Sequence, residues 1–312
     1  MKKKIKIVLV AILLILCTGC TKTLKDGKTS VTNEKTGQTL TSNILCQPTD
    51  ADLYEKYQEY DESLQVSLEE LPTCESFTPR KLKYKSLWES IFIKPLAWLI
   101  LKLGYLIKNM GVSVMIIGLL IRIIILPIQI KSVIQSDNMK KAQPEIAKIE
   151  KKYKNKTDNE SLMAKSQETM MVYKKYKINP ISGCLMAFIQ LPLFFAFLEA
   201  INRVPAIFEG TFLGMNLGMT PVTGISQHKY IYIILIILII LTTYLSFKNS
   251  MKNQEQSSEM GEQMKMMFIF MIVMVSVASL SLPTAIALYW IVTNGFAVIQ
   301  NLIIKKVIEK RK

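Results

Sequence analysis

One arginine stands where an ion has the most chemical leverage. Arg122 lies within GVSVMIIGLLIRIIILPIQI (residues 111–130), an apolar run that contains no acidic residue. Read as a helix from 109 to 130, the run is about 33 Å long, close to the thickness of a hydrocarbon core. Arg122 then falls about 13 Å from the Lys131 end, inside the membrane. An arginine at that depth costs roughly 2.5–3.5 kcal/mol on insertion scales, so its side chain is expected to face protein or a water-filled cavity. There it can attract a carboxylate or another anion. Gly111, Met115, Gly118, Arg122, Ile125 and Gln129 recur at steps of three and four and so share one helix face, which the two glycines thin beside the charge.

Little else in the chain suits catalysis. Its one histidine, His228, precedes Lys229 at the edge of an apolar run, and its five cysteines show no metal-ligand spacing. There is no glycine-rich phosphate loop and no pair of carboxylates inside an apolar segment. The expectation is a protein that is not an enzyme and uses no cofactor or metal. Polar groups do recur in the other apolar segments. Gln190 sits beside Pro192, and Ala287, Trp290, Asn294, Ala297 and Asn301 share a face of the last segment. Such groups either hydrogen-bond between helices or line a cavity. Met266, Met267, Met271 and Met274 offer an adaptable apolar surface.

The elements that must position these residues follow from hydropathy and charge. Half of the 312 residues are apolar and the net charge is +15. The reading is an all-α integral membrane protein with five transmembrane helices. Span one covers 109–130, span two 181–201, span three 230–247, span four 266–281 and span five 284–304. Residues 131–180 hold twelve lysines against six acids and form a cytoplasmic segment by the positive-inside tendency. Ile146, Ile149 and Tyr153, then Leu162, Thr169, Tyr173 and Tyr176, recur at near-helical spacing. They predict an antiparallel helical hairpin around a polar turn, with Asn159 as N-cap. Its lysine-rich surface either serves as a solvated face that sets topology or binds a partner. Residues 202–229 form an external loop, 248–265 a cytoplasmic loop, and 305–312 a basic cytoplasmic tail.

The N-terminus reads MKKKIKIVLVAILLILCTGC, a basic start, a short apolar core and small residues before a cysteine. This is the pattern of a secretory signal over residues 1–19. Cys17-Thr18-Gly19-Cys20 resembles a bacterial lipobox, which makes Cys20 the expected lipid attachment site and puts the mature N-terminus outside. Residues 20–87 are polar with nearly balanced charge and read as an external tether with little core of its own. Cys46 and Cys74 fall here, where an oxidising exterior permits a disulfide. Residues 88–108 mix Trp88, Trp98 and Tyr105 with Lys94, Lys102 and Lys108. Their uncharged runs are short, which predicts an amphipathic helix lying in the outer interface.

Three separated motifs carry a resemblance. RIIILPIQIKS before the lysine-rich hairpin, INPISGCLMAFIQLPLFFAF and SLPTAIALYWIVTNGFAVIQ are similar to the YidC membrane-protein insertase family in its five-span, Gram-positive lipoprotein form. The resemblance covers roughly residues 86–304. It implies a hydrophilic groove open to the cytoplasm and to lipid, with Arg122, Gln190 and Trp290 as groove residues, joined by Asn294 from the shared face of span five. It also implies that Met266, Met267, Met271 and Met274 belong to a surface along which an apolar segment slides into lipid. The implied partners are nascent membrane proteins, the Sec translocon, the lipid bilayer and, through the basic tail and hairpin, the ribosome, with a monomer as the working unit. The implied location is the bacterial cell membrane, with the C-terminus cytoplasmic. A small-solute transporter or channel with an anion site at Arg122 is the alternative. It calls for repeated halves or intramembrane carboxylates, which the sequence lacks.

Overall fold

A computed structural model describes residues 21–80, 86–179, 182–252 and 259–310, and most of them are helical. The signal segment and Cys20 lie outside the described residues. The chain divides into two compact units, Met1–Gly118 with Leu191–Ile237 and Ala278–Trp290, and Leu119–Gln190 with Leu238–Val277 and Ile291–Lys312.

The first unit opens with a small module. Strands β1 (Lys25–Asp26) and β2 (Thr29–Ser30) pair antiparallel. Helix α1 (Ala51–Gln58) begins at Asp50, whose carboxylate accepts the Leu53 N–H at 2.9 Å. Leu24, Leu40, Leu45, Tyr57, Leu68 and Phe77 are all buried, and Cys46 and Cys74 are joined by a disulfide. The segment expected to hold little core therefore has one. Its apolar residues are isolated in sequence and show no periodicity, so only long-range turns bring them together.

A π-helical turn (Glu89–Ile93) leads into α2 (Lys94–Ile107). The combined segment Glu89–Ile107 is long and apolar enough to cross a membrane, whereas its lysines suggested runs too short to do so. The two lysines of the segment differ in setting: Lys94 is only 3% exposed, whereas Lys102 is exposed, as are Ile91, Phe92, Leu99 and Leu106. Lys108 closes α2 in the left-handed conformation, and Asn109 Oδ1 then accepts the Val112 N–H at 3.0 Å to start α3 (Met110–Ile124). Ser113 Oγ donates to Ile100 O at 2.6 Å across this corner. At Gly111 a Cβ would meet Phe212 Cβ at 2.9 Å and Leu217 at 3.3 Å, so the space left by that glycine is filled by protein rather than open beside the charge.

Residues 202–229 are packed rather than loose. They hold α7 (Pro205–Glu209), the antiparallel pair β3 (Thr211–Phe212) and β4 (Met215–Asn216), and α8 (Pro221–Ser226). This loop caps the start of α11 (Thr284–Lys310). Thr284 N and Oγ1 both donate to Met219 O, at 3.1 and 2.7 Å, and Ala285 N donates to Leu217 O at 2.9 Å. Two of the helix's orphan N–H groups are thus satisfied by backbone carbonyls.

In the second unit, α4 (Leu126–Tyr153) and α5 (Asn159–Lys175) pack on each other around Ala142, Ile146, Val172, Tyr173 and Ile178. The N-cap of α5 is Asp158, whose carboxylate accepts the Ser161 N–H at 2.8 Å, so Asn159 becomes the first helical residue. Both residues suit a cap, and the hydrogen bond to the third residue on decides for aspartate. Leu162, expected by its spacing to join the α4–α5 seam, is 51% exposed. Tyr153, the last residue of α4, reaches Glu168, in the third turn of α5.

The remaining long helices are α6 (Ser182–Asn202), α9 (Ile231–Lys252) and α10 (Glu259–Ser281). Besides Glu89–Ile107, the stretches Ile231–Lys248 and Thr284–Ile304 are long and apolar enough to cross a membrane. The α3–α4 pair makes up to four, and Pro192–Asn202 and Phe268–Ser281 are shorter apolar helices. The basic residues after 304 continue α11 without a break as far as Lys310.

Candidate functional site

The second unit holds Arg122 near the end of α3, and the helix breaks just beyond it. The chain turns by 59° between Met110–Ile124 and Leu126–Tyr153. Pro127 in the first turn of α4 is the cause. It has no N–H to give Ile123 O and its ring crowds that carbonyl. Around it, Ile125 N bonds Ile121 O and Gln129 N bonds Ile125 O, both at 3.1 Å, so the ladder stops and restarts. Expected span one is therefore two helices. Arg122 on one side of the break is 8% exposed and Gln129 on the other is 7% exposed, while Leu120, Ile123, Ile124 and Ile128 are exposed. The polar side of this bent segment is turned into protein and the apolar side outward, as the cost of an arginine against lipid requires.

Asn294 lies in the same unit. Its Nδ2 donates to Thr243 Oγ1 of α9 at 3.0 Å, and Thr243 is buried. This is a bond between two apolar helices, the bundle-holding role open to any such polar group. Thr243 carries no motif in the sequence; only its place in the Ile- and Leu-rich third span marked it as a polar residue needing a partner.

Trp290 belongs to the first unit. It stacks on Phe194 at 5.5 Å with an 18° interplanar angle, and its neighbour Tyr289 stacks on Phe197 at 4.0 Å. Thus the start of α11 and the C-terminal half of α6 are joined by two aromatic pairs. Gln190 is within α6, but its side chain lies outside the described residues, as do those of Met267 and Met271. Met266 and Met274 are both exposed, in company with Ile269, Phe270, Val273 and Val277, so α10 presents an apolar surface.

The α4–α5 pair carries two matched ion clamps. Glu168 accepts from Lys152 Nζ at 2.6 Å and from the Tyr153 hydroxyl at 2.8 Å. Glu145 accepts from Lys175 Nζ at 2.6 Å and from the Tyr176 hydroxyl at 2.8 Å. The lysine bond, followed by the tyrosine bond, holds each carboxyl below the usual carboxylate range, and the same bonds raise both lysines. Between the clamps lies an open groove of about 580 Å³ with Ile149, Met171 and Val172 as its apolar lining. Among the described residues no cluster of His, Cys, Asp or Glu could hold a metal ion.

Residues 102–311 match the family model described as 60Kd inner membrane protein. The membrane protein insertase YidC of Oceanobacillus iheyensis is 33% identical over 227 residues, covering 72% of this chain and 86% of that protein. Membrane protein insertase YidC 2 of Listeria innocua is 36% identical over 226 residues, 72% of this chain and 74% of the relative. Membrane protein insertase MisCA of Bacillus subtilis is 35% identical over 182 residues, 58% of this chain and 65% of the relative.

Proposed function

This chain belongs to the YidC family, and on that premise we propose that it inserts nascent proteins into the bacterial cell membrane through a polar groove centred on Arg122. The observation that carries the reading is a buried arginine within an apolar helix, one turn before a proline break. Two unit charges 4 Å apart interact by about 4 kcal/mol at an effective dielectric of 20. An acidic external tail of a substrate, attracted on that scale, recovers part of the cost of entering the membrane. Its apolar segment then leaves along the exposed surface of α10, with Met266, Met267, Met271 and Met274 as the adaptable contacts. Partitioning of that segment into lipid is itself favourable, so no nucleotide or ion gradient is needed.

Gln190, Trp290 and Asn294 complete the groove in this reading. Asn294 also ties α9 to α11 through Thr243. The N-terminus is lipid-anchored outside through Cys20, five spans follow, and the basic end of α11 is cytoplasmic. Nascent chains arrive from ribosomes, alone or by way of the Sec translocon, and the lysine-rich α4–α5 pair and basic end supply contacts that weaken with salt. The protein acts as a monomer and also helps its substrates fold.

The test is insertion of a single-span reporter with an acidic external tail, in cells depleted of their own insertase, read by protease protection. The parent chain is expected to expose the tail and Arg122→Ala to fail at equal abundance. Equal insertion by both would remove Arg122 from the mechanism. Failure by both, with saturable solute uptake by the purified chain in vesicles, would establish the transporter instead.

A further inference from the structure

Residues 36–50 lie across the end of α6 and the loop that follows it. At one end, Thr36 O accepts the Thr220 N–H at 2.9 Å, and Gly37 packs so closely on α8 that a Cβ would stand 2.1 Å from Thr223 Oγ1. Gly37 also has φ +72°, which a larger residue resists. In the middle, Thr41 Oγ1 donates to Asn202 O at 3.1 Å, Leu45 N to Arg203 O at 2.8 Å, and Arg203 Nε to Asn43 O at 2.6 Å. At the far end, Glu209 accepts from Thr49 N at 2.7 Å and from Asp50 N at 3.1 Å. Arg203 is 2% exposed and also pairs with Glu89, so this strap, the end of α6 and the turn before α2 all meet at one guanidinium.

The strap has neither helix nor paired strand of its own beyond isolated bridges; its hydrogen bonds are exchangeable for bonds to water, and burial of Leu40, Ile44 and Leu45 adds to its seating. What ties it covalently is Cys46, which is bonded to Cys74 across 28 residues and fully buried. Beside it, Gln47 N donates to Pro72 O at 2.9 Å. Closing a loop of that length removes much of the freedom the segment would gain on leaving.

We propose that the Cys46–Cys74 disulfide is a latch that keeps this strap seated on the Asn202–Glu209 corner, and that insertion requires the latch to be oxidised. The proposal rests on the insertase reading and on the external position of residues 20–87. A dithiol reductant supplies two electrons and two protons, converting the disulfide to two thiols while the reductant becomes a cyclic disulfide. The freed strap then exchanges its bonds for water, Arg203 loses the Asn43 carbonyl, and the outer end of α6 loses its fixed position.

The experiment uses the full chain, purified and reconstituted in vesicles, so that reduction acts on protein already folded. Alkylation of Cys46 and Cys74 by a maleimide is followed peptide by peptide, with reporter insertion measured on the same sample. After reduction both thiols are expected to react at a rate close to that of the denatured chain, and insertion to fall several-fold and return on reoxidation. A second arm, Glu209→Ala, removes the acceptor of the Thr49 and Asp50 N–H groups while leaving the disulfide and is expected to lower insertion with no reductant present. Thiols that stay protected after reduction overturn the latch. Thiols that react while insertion is unchanged overturn its link to function. An oxidised chain that inserts nothing overturns the insertase reading, and alkylation then still decides whether the strap opens.

Discussion

Lys152 and Glu168 meet at 2.6 Å across α4 and α5, and Glu145 and Lys175 repeat that distance with the signs exchanged between the helices. Each carboxylate also accepts a hydroxyl from the tyrosine next to its lysine partner, so both helices contribute an acid at one level and a Lys-Tyr pair at the other.

These clamps set a pH window. The carboxyls of Glu145 and Glu168 are depressed, so their contribution is present above the ordinary carboxylate range and lost as pH falls through the lowered values. Lys152 and Lys175 are raised, so theirs is present below the ordinary lysine value and lost as pH rises through the raised ones. Hydrogen exchange in α4 and α5 should be flat in protection across neutral pH and lose it at both extremes. Glu168→Gln should raise local opening by about two- to fivefold at pH 7, since exposed pairs are weak. An unchanged exchange pattern would make the clamps incidental.

The charge at position 122 is separable from its shape. Arg122→Lys keeps a cation without the planar fork. If attraction of an acidic tail is the mechanism, the lysine variant should retain most insertion while Arg122→Ala loses about tenfold or more. Loss in both would assign the function to the guanidinium's hydrogen bonds instead. A reporter with a neutral tail should discriminate little among the three.

Asn294 offers the opposite pattern. Removing it leaves buried Thr243 without its donor, at a cost of about 1–3 kcal/mol. Asn294→Ala should lower the melting temperature, and Thr243→Val should lower it without adding to the loss in the double variant. Additive effects would show that the two residues do not act as a pair.

Two further substitutions probe the packed loop over α11. Gly111→Ala places a methyl 2.9 Å from Phe212 Cβ and should destabilise by about 1–3 kcal/mol. Combining it with Phe212→Gly, which removes that Cβ, should cost less than the sum of the two single changes. Thr284→Val removes the hydroxyl donor to Met219 O but keeps the backbone one, so about 1 kcal/mol is expected in thermal unfolding.

The burial of Arg122 was legible because a charge in an apolar run has few physical solutions. The break beyond it was less so, although Pro127 was visible, since a proline near a helix end kinks or starts a helix according to its neighbours. The core of residues 21–80 was hidden because Leu24, Leu40 and Tyr57 have no common period and meet only through turns. Leu162 had near-helical spacing yet is half exposed, and the buried seam of α5 runs through Val172 and Tyr173, a choice of face that spacing alone leaves open. The aromatic pairs at Trp290 and Tyr289 depend likewise on α6 passing alongside, which no local pattern encodes.

The exchanged signs of the clamps have a consequence for register. Both Glu145 and Lys152 on α4 and Glu168 and Lys175 on α5 are seven residues apart, two helical turns. A slip of α5 along α4 by that distance keeps every side chain on its own face, but in one direction it replaces Val172 and Tyr173 in the seam by Lys165 and Ser166. The slip would also set Glu145 against Glu168 in that direction and Lys152 against Lys175 in the other. Like-charge contacts in both slipped alignments therefore act with the apolar seam to favour the one alignment observed.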